Sequence, residues 1–339
     1  MLMKRVLGAF IVLSAVGAQP LHAQERSAHV HKLEELRWPQ IDALDRERTL
    51  FILPIGMIEE HGPHLPVGAD TYGVLFEADR VTTRVSRALP EWSVVLMPPL
   101  HYGEGGANEM GGKLVHPGTY GIRQSTLRSL VADIGAQVAQ NGFRWIFVLT
   151  GHGPPHHSIA INDACDFVSE SFGVTMVHVS GLFRAAAEIQ SQGERIAAMH
   201  FSAADIASFG LDVHAGVSET SAILALRPDL VEPGYKRLPG LNGRTREELW
   251  MIATAPGWPG YLSSPAKATA AYGRAVEAWW VEGLSDLIVR AAGGESFSKA
   301  PRAPEPNHPA LVGPLRKVLE NERAFEMKLQ EWLDRRRRQ

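Results

Sequence analysis

The stretch PIGMIEEHGPHLPVGADT, residues 54–71, carries Glu59, Glu60, His61, His64 and Asp70 in a loop stiffened by glycine and proline. It follows directly on the apolar run TLFIL. Carboxylates and imidazoles are oxygen and nitrogen donors, and a buried loop cannot hold so many of them unpaired. Two arrangements would satisfy them: arginines neutralising the acids in a core loop, or cations held between acids and imidazoles. Glu59 and His61 are two apart, so an extended segment points both the same way and turns Glu60 elsewhere, as a solvated or structural residue. Asp70 curls back after the rigid GPHLPVGA turn, and its two oxygens could bridge two ions. His64, set between prolines, suits a hydrogen-bond donor behind the ligands better than a ligand.

Two further segments carry the same chemistry. GHGPPHHS (151–158) follows the apolar run WIFVLT and brings His152, His156 and His157. DVHAGVSETS (212–221) adds Asp212, His214 and Glu219. Together the three segments hold enough ligands for two divalent ions. The only cysteine is Cys165. Without thiolates, an imidazole–carboxylate set suits Zn, Mn or Fe(II).

These loops must be positioned by regular elements. Nearly continuous apolar runs at 49–56, 93–100, 145–151 and 174–180 predict strands covered on both faces. Helical patterns lie between them at 73–89, 123–142 and 156–173, the second stopping on Gly142. Strands alternating with helices predict an α/β fold with a mainly parallel sheet and helices on either side. In such sheets ligands bind outside the carboxyl ends of the strands, where the 54–71 and 151–158 loops fall. Residues 33–44 read as a short helix, and no internal repeat is present.

The 339 residues have a hydrophobic content of 45%, enough for a substantial core. A net charge of −3 and a pI near 6.5 give no sign of nucleic-acid binding. Residues 1–23 read as an export signal: Lys4 and Arg5, a short apolar stretch from Val6 to Ala18, and Ala23 before the cut. That stretch is too short to span a bilayer, which takes about 20 apolar residues. The expected organisation is therefore signal 1–23, one α/β domain over 24–297 carrying the ligand-rich loops, a Pro-rich linker over 298–310, and an amphipathic helix over 311–339. Leu315, Leu319, Phe325, Leu329 and Trp332 share one face of that helix, which would dock on its own domain or on a neighbouring subunit. The expected location is the periplasm or the medium, with no membrane contact after signal removal.

LPIGMIEEHGPHLPVGADT closely resembles the signature of the creatininase (creatinine amidohydrolase) family. The similarity continues in the family's order through LHYG, HPGTYGI, GHG, HAGVSETS and GWPGYLSSPAKATAAYGR, covering residues 34–292. The resemblance implies a three-layer α/β/α hydrolase with two metal ions, assembled as a homo-oligomer, often a hexamer. It implies that Glu59, Asp70 and His152 hold one metal and His61 with bridging Asp70 the other, and that His214 is the catalytic histidine. The implied reaction is hydrolysis of a carbon–nitrogen bond in a small amide, with a cyclic one expected. The chain departs from the family at T-G-H-G-P-P, where N-G-H-G-G-N is usual. Creatininase proper has an acidic ligand where this chain has Pro154, so another carboxylate must close the second site. Glu219 is the choice, with Glu60, Glu104 and Asp212 as competitors. The segment after HYG also differs, which leaves the substrate open.

The expected mechanism is metal-assisted hydrolysis, with an activated water as nucleophile and His214 protonating the leaving nitrogen. Two rivals keep the same ligands: a hydrolase opening a cyclic ketone or lactone, and a non-catalytic periplasmic metal-binding protein. The export reading predicts a mature chain starting close to Gln24. Intact-mass measurement after expression in a native-like host checks this, and residues 1–18 retained on the exported protein would refute it.

Overall fold

The computed structural model describes residues 29–106, 116–298 and 309–338. The expected signal and all but the first residue of the 298–308 stretch lie outside them. Five strands form one parallel sheet: β1 (Val30–Lys32), β2 (Thr49–Ile55), β3 (Ser93–Leu96), β4 (Trp145–Thr150) and β5 (Thr175–His178), in the order β1-β3-β2-β4-β5. All seven residues of β2 are buried, as its unbroken apolar run requires.

Side chains alternate across β2 and so build two cores. Phe51, Leu53 and Ile55 pack with Leu127 and Val131 of one helix (Gln124–Gln140) and with Ala160, Ile161 and Val168 of another (Pro155–Phe172). Leu50 and Ile52 face the opposite layer, against Val74, Ala78 and Val81 of the helix Ala69–Ala88 and Leu284 and Ile288 of the helix Ala270–Ala292. The result is the α/β/α sandwich anticipated from the strand and helix alternation.

In chain order the helices are α1 (Trp38–Asp42), α2 (Ala69–Ala88), α3 (Gln124–Gln140), α4 (Pro155–Phe172), α5 (Val179–Ala185), α6 (Ala187–His200), α7 (Ala203–Phe209), α8 (Val217–Leu226), α9 (Arg246–Thr254), α10 (Ala270–Ala292) and α11 (Pro309–Arg337). The chain leaves β2 through α2 and returns at β3 on one side. It leaves β4 through α4 and returns at β5 on the other. The strands β2 and β4 are neighbours whose outgoing connections diverge. A crevice must open between their carboxyl ends, the topological switch point at which open sheets bind ligands. The loops carrying residues 56–70 and 151–154 flank it.

The structure trims several expected elements. β3 stops at Leu96 because Pro98 and Pro99 have no amide hydrogen to continue a ladder. β5 gives way to α5 after His178. β1 escaped the pattern because its three residues, Val-His-Lys, are only half-buried at the sheet edge. Residues 33–44 resolve into a single 3₁₀ turn and the five-residue α1.

The C-terminal helix begins at Pro309, inside the stretch read as a linker, since proline is well tolerated in a first helical turn. It docks on the start of α3: the Arg123 guanidinium lies 5.0 Å from the Phe325 ring centroid, Ser125 Oγ donates to Glu326 at 2.7 Å, and the Gln124 amide donates to Glu322. Leu329 and Trp332 stay exposed, so the apolar stripe is only partly covered.

Candidate metal centre

Glu59 and His61 leave the end of β2, Asp70 stands in the first turn of α2, His152 follows β4, and Glu219 lies in the first turn of α8. Five residues from four segments, two strand-end loops and two helix starts, thus converge on the crevice. Gly151 makes the convergence possible, because a Cβ there would overlap the Asp70 carbonyl. Only glycine lets the β4 loop press against the start of α2.

The ligand atoms meet closely. His152 Nδ1 lies 2.8 Å from Asp70 Oδ2 and 3.2 Å from Glu59 Oε2. His61 Nε2 lies 3.4 Å from Asp70 Oδ1 and 3.6 Å from Glu219 Oε2. Two groups able to hold an ion result, Glu59–Asp70–His152 and His61–Asp70–Glu219, and they share Asp70. Glu59, His61 and His214 form a third group. His214 was expected to stand clear of any ion, whereas its Nδ1 comes within 3.7 Å of Glu59 Oε1.

The tautomers of the two imidazoles test whether a cation fits. His61 Nδ1 lies 3.0 Å from the Glu59 carbonyl, and His152 Nε2 lies 3.1 Å from the Glu104 carbonyl. A carbonyl only accepts, so each of those nitrogens carries the hydrogen. The nitrogens facing the carboxylates are then lone pairs in the neutral ring. Lone pair against carboxylate is repulsive unless a proton or a metal ion lies between them, and a divalent cation fits the donor set.

Electrostatics of the metal-free site point the same way. Burial alone would lower His152, but Glu59 and Asp70 outweigh it and raise it to about 10. His61 is likewise held well above its ordinary value, the Asp70 and Glu219 carboxylates overriding burial. Burial would raise Asp70, yet His61 and His152 bring it far below the usual carboxylate range. The site is balanced for charge only when positive charge sits between these groups.

The surrounding residues brace the ligands. His157 accepts from the Glu104 amide at 3.1 Å and so donates from Nε2 to Thr150 Oγ1 at 2.9 Å. Burial holds His157 well below its ordinary value, keeping it neutral for this task. Thr150 Oγ1 also accepts from the His152 amide at 3.2 Å. The threonine standing where the family has asparagine is therefore part of the His152 support. His64 lies 2.9 Å from Thr220 Oγ1, lowered to about 4 by burial and by His61. His156 is buried in the first turn of α4 and belongs to none of the three groups.

The competitors for the closing carboxylate separate on geometry. Asp212 accepts from the Val217 and Ser218 amides at 2.9 and 2.7 Å, so both of its oxygens cap α8. Glu104 is buried on the cavity wall but belongs to none of the three groups. Pro154 and Pro155 open α4, which leaves no side-chain ligand there.

Glu60, expected to be solvated or structural, is not solvated. It is 6% exposed, its Oε2 accepts from the Gly62 amide at 3.0 Å, and its Oε1 lies 3.5 Å from His214 Nε2. The two-residue alternation fails here because the chain after β2 is a loop rather than an extended strand. Of the aromatic candidates, Tyr102 is exposed, while Trp258 and Tyr261 are buried near the site, with Trp258 6.4 Å from the His214 ring. The residue after His214, Ala215, has φ +48, and Ser263 has φ +65. Leu262, next to Ser263, donates its amide to the His214 carbonyl. These two non-glycine residues in the left-handed region thus both flank the histidine, as strain at functional sites does.

The charge balance sets a pH dependence. A cation must displace protons from His61 and His152, so affinity falls as pH falls, by about tenfold per unit for each proton displaced. In the metal-free protein the stability contributed by protonated His152 is complete below 6.5 and is lost as pH rises through about 10. Calorimetric titration with Mn or Zn at neutral pH, in buffers of different ionisation enthalpy, should show net proton release. Release of no protons would refute the paired imidazolium–carboxylate description.

Comparison with known proteins agrees with this geometry. The family model for Creatininase (Creatinine amidohydrolase) matches residues 34–288. A creatinine amidohydrolase of Pseudomonas putida is 27% identical over 276 residues, 75% of this chain and 94% of that protein. A mycofactocin precursor peptide peptidase of Mycolicibacterium smegmatis is 29% identical over 247 residues, 71% and 85% of the two chains. A solved structure described as creatininase with Mn superposes with a TM-score of 0.55 at 27% identity, over 77% of this chain and 98% of that one. With the family match spanning β2 to β5 and every converging loop, the chain belongs to the creatininase family of metal-dependent amidohydrolases.

Proposed function

We propose that the protein is a dinuclear metal-dependent hydrolase of a carbon–nitrogen amide bond in a small molecule. The observation carrying this reading is the pair of ligand groups that share Asp70. We assign Glu59, Asp70 and His152 to one ion and His61, Asp70 and Glu219 to the other, with Zn, Mn or Fe as the metal. Structures described as Mn and Zn-Zn creatininases support that choice. When bound, the cations supply Lewis acidity that activates water and polarises the amide carbonyl.

The chain's own residues do the rest. Burial lowers His214, but Glu59 and Glu60 more than offset this and hold it above its ordinary value. His214 therefore holds a proton more readily than a free imidazole, with Glu59 beside Nδ1 and Glu60 beside Nε2. It gives the proton at Nδ1 to the departing nitrogen, while Glu60 retains the one at Nε2 and fixes the ring. Trp258, buried against His214, excludes water from that side. A cavity of about 1960 Å³ opens onto the centre and reaches from Glu59 to α9 and α11. It has room for more than a single small ring.

A ring-opening reading has support of its own. A 3-dehydro-scyllo-inosose hydrolase of Thermotoga maritima is 28% identical over 129 residues, 38% of each chain. We further propose export to the periplasm or medium and assembly as a homo-oligomer. Exposed Trp38, Tyr120, Met251 and Trp332 are candidates for such contacts. No helix among the described residues is long and apolar enough to cross a membrane.

The test is a Mn- or Zn-reconstituted screen of amides against lactones and cyclic ketones, with mass spectrometry of the products. Turnover should disappear on chelation and return with metal. Asp70→Ala should lose both ions, and Glu219→Gln should fall to near one ion per chain with steeply reduced turnover. His214→Ala should keep its metal and lose turnover by about two to four orders of magnitude, the usual weight of a general acid. Full occupancy in Asp70→Ala would remove the shared bridge, and loss of metal in His214→Ala would make that residue a ligand.

A further inference from the structure

Away from the ligands, the cavity wall carries a second polar group that the reaction above does not use. Glu77 stands on α2 seven residues after Asp70, two helical turns along the same face and about 10 Å further down the axis. Glu277 projects from α10, which packs against α2. Both line the cavity, and each is only 6% exposed. The Oε2 atom of each is buried without a hydrogen-bond partner, and neither carboxyl has a cationic side chain within 4.0 Å among the described residues.

Arg184 attracts Glu77 from a distance, but its hydrogen bonds go elsewhere. Its two terminal nitrogens donate to the carbonyls of His152 and Thr150 at 3.3 and 3.2 Å, and its guanidinium lies 5.1 Å from the Trp280 ring centroid. Trp280 and Val276 line the cavity beside the two acids, next to Ala222 and Ile223 of α8. Apolar cavity wall thus adjoins two carboxyls that make no ion pair within 4.0 Å and feel only the more distant charge of Arg184. A fold gains nothing from burying such a pair, because an unpaired buried carboxyl is costly. A ligand with an apolar stem and a cationic tip would fit both parts.

Resting on the amide-hydrolase reading, we propose that Glu77 and Glu277 form a recognition site for a primary ammonium or guanidinium group on the substrate. The scissile amide would then lie at the metal centre and the basic group about 10 Å away on the wall of the same cavity. The titration of the pair is consistent with this. Burial raises Glu277 to about 8, and burial followed by repulsion from Glu277 keeps Glu77 well above its ordinary value. The empty pair thus holds a proton that an arriving cation displaces, and an uncharged isostere gains nothing in exchange.

The test compares two amides on the Mn-loaded full-length chain: 6-aminohexanoic acid anilide and heptanoic acid anilide, which differ only in ammonium against methyl. The cationic anilide should have the higher kcat/KM by about thirtyfold or more, the weight of a buried charge pair. In Glu77→Gln/Glu277→Gln that ratio should collapse toward one. Equal turnover of both anilides by the unaltered enzyme would overturn the subsite and leave the amide reading standing. If neither anilide is cleaved, binding of butylguanidinium by calorimetry decides. Binding to the unaltered protein that is lost in the double variant upholds the subsite independently of the reaction, and no binding overturns it. Should the double variant not fold, Glu277→Gln alone, verified by circular dichroism, is read in the same way with a proportionately smaller loss.

Discussion

Asp70 is the constraint on which the rest of this structure depends. Its two oxygens face two imidazoles that arrive from different strands, His61 from β2 and His152 from β4. For one carboxylate to meet both, α2 must start directly above the crevice, and the β4 loop must touch its first turn. Gly151 permits that contact, and the parallel pairing of Ile55 with Thr150 sets the height of both loops. The two cores then hold the strands that hold the loops. The chain of dependence runs from a single carboxylate back to the packing of Phe51 and Ile52 on opposite faces of one strand.

Much of this was legible before any coordinates. Unbroken apolar strands and intervening helices were enough for the architecture, because a strand buried on both faces leaves no other sequence pattern. The convergence of Glu59, His61, Asp70, His152 and Glu219 followed from donor type, from loop position and from the family signature. The solvated alternative for Glu60 failed because a period-two argument was applied past the end of the strand. Glu77, Glu277 and Arg184 left no signal, since single charged residues in amphipathic helices normally face water. Their burial is a product of how α2, α5 and α10 meet, which no local window contains. β1 was missed for the opposite reason: at a sheet edge three half-buried polar-flanked residues have no pattern to read.

The site also shows where the fold accepts local cost. Ala215 and Ser263 adopt left-handed backbone, and several carboxyls and imidazoles are withdrawn from water with charges that the protein alone does not balance. Violations of ordinary folding preferences gather here and are sparse in the cores, the distribution expected when function rather than stability has chosen the residues. The hydrogen bonds from His61 and His152 to main-chain carbonyls reduce the looseness that such a site would otherwise have. Each ring has one nitrogen fixed by the scaffold and the other left for chemistry.

The C-terminal helix has a different history written into it. The family match ends at residue 288, yet Lys317, Val318, Asn321, Glu322 and Phe325 of α11 line the same cavity as the metal ligands. Part of the wall around an inherited reaction centre is thus built from a segment outside the inherited domain. It is attached through a few contacts at the start of α3 rather than through the sheet. Selection can alter such a wall without touching the ligands or their supports. A change in α11 would therefore reshape the cavity while leaving the carboxylates and imidazoles, and the strands that hold them, where they are.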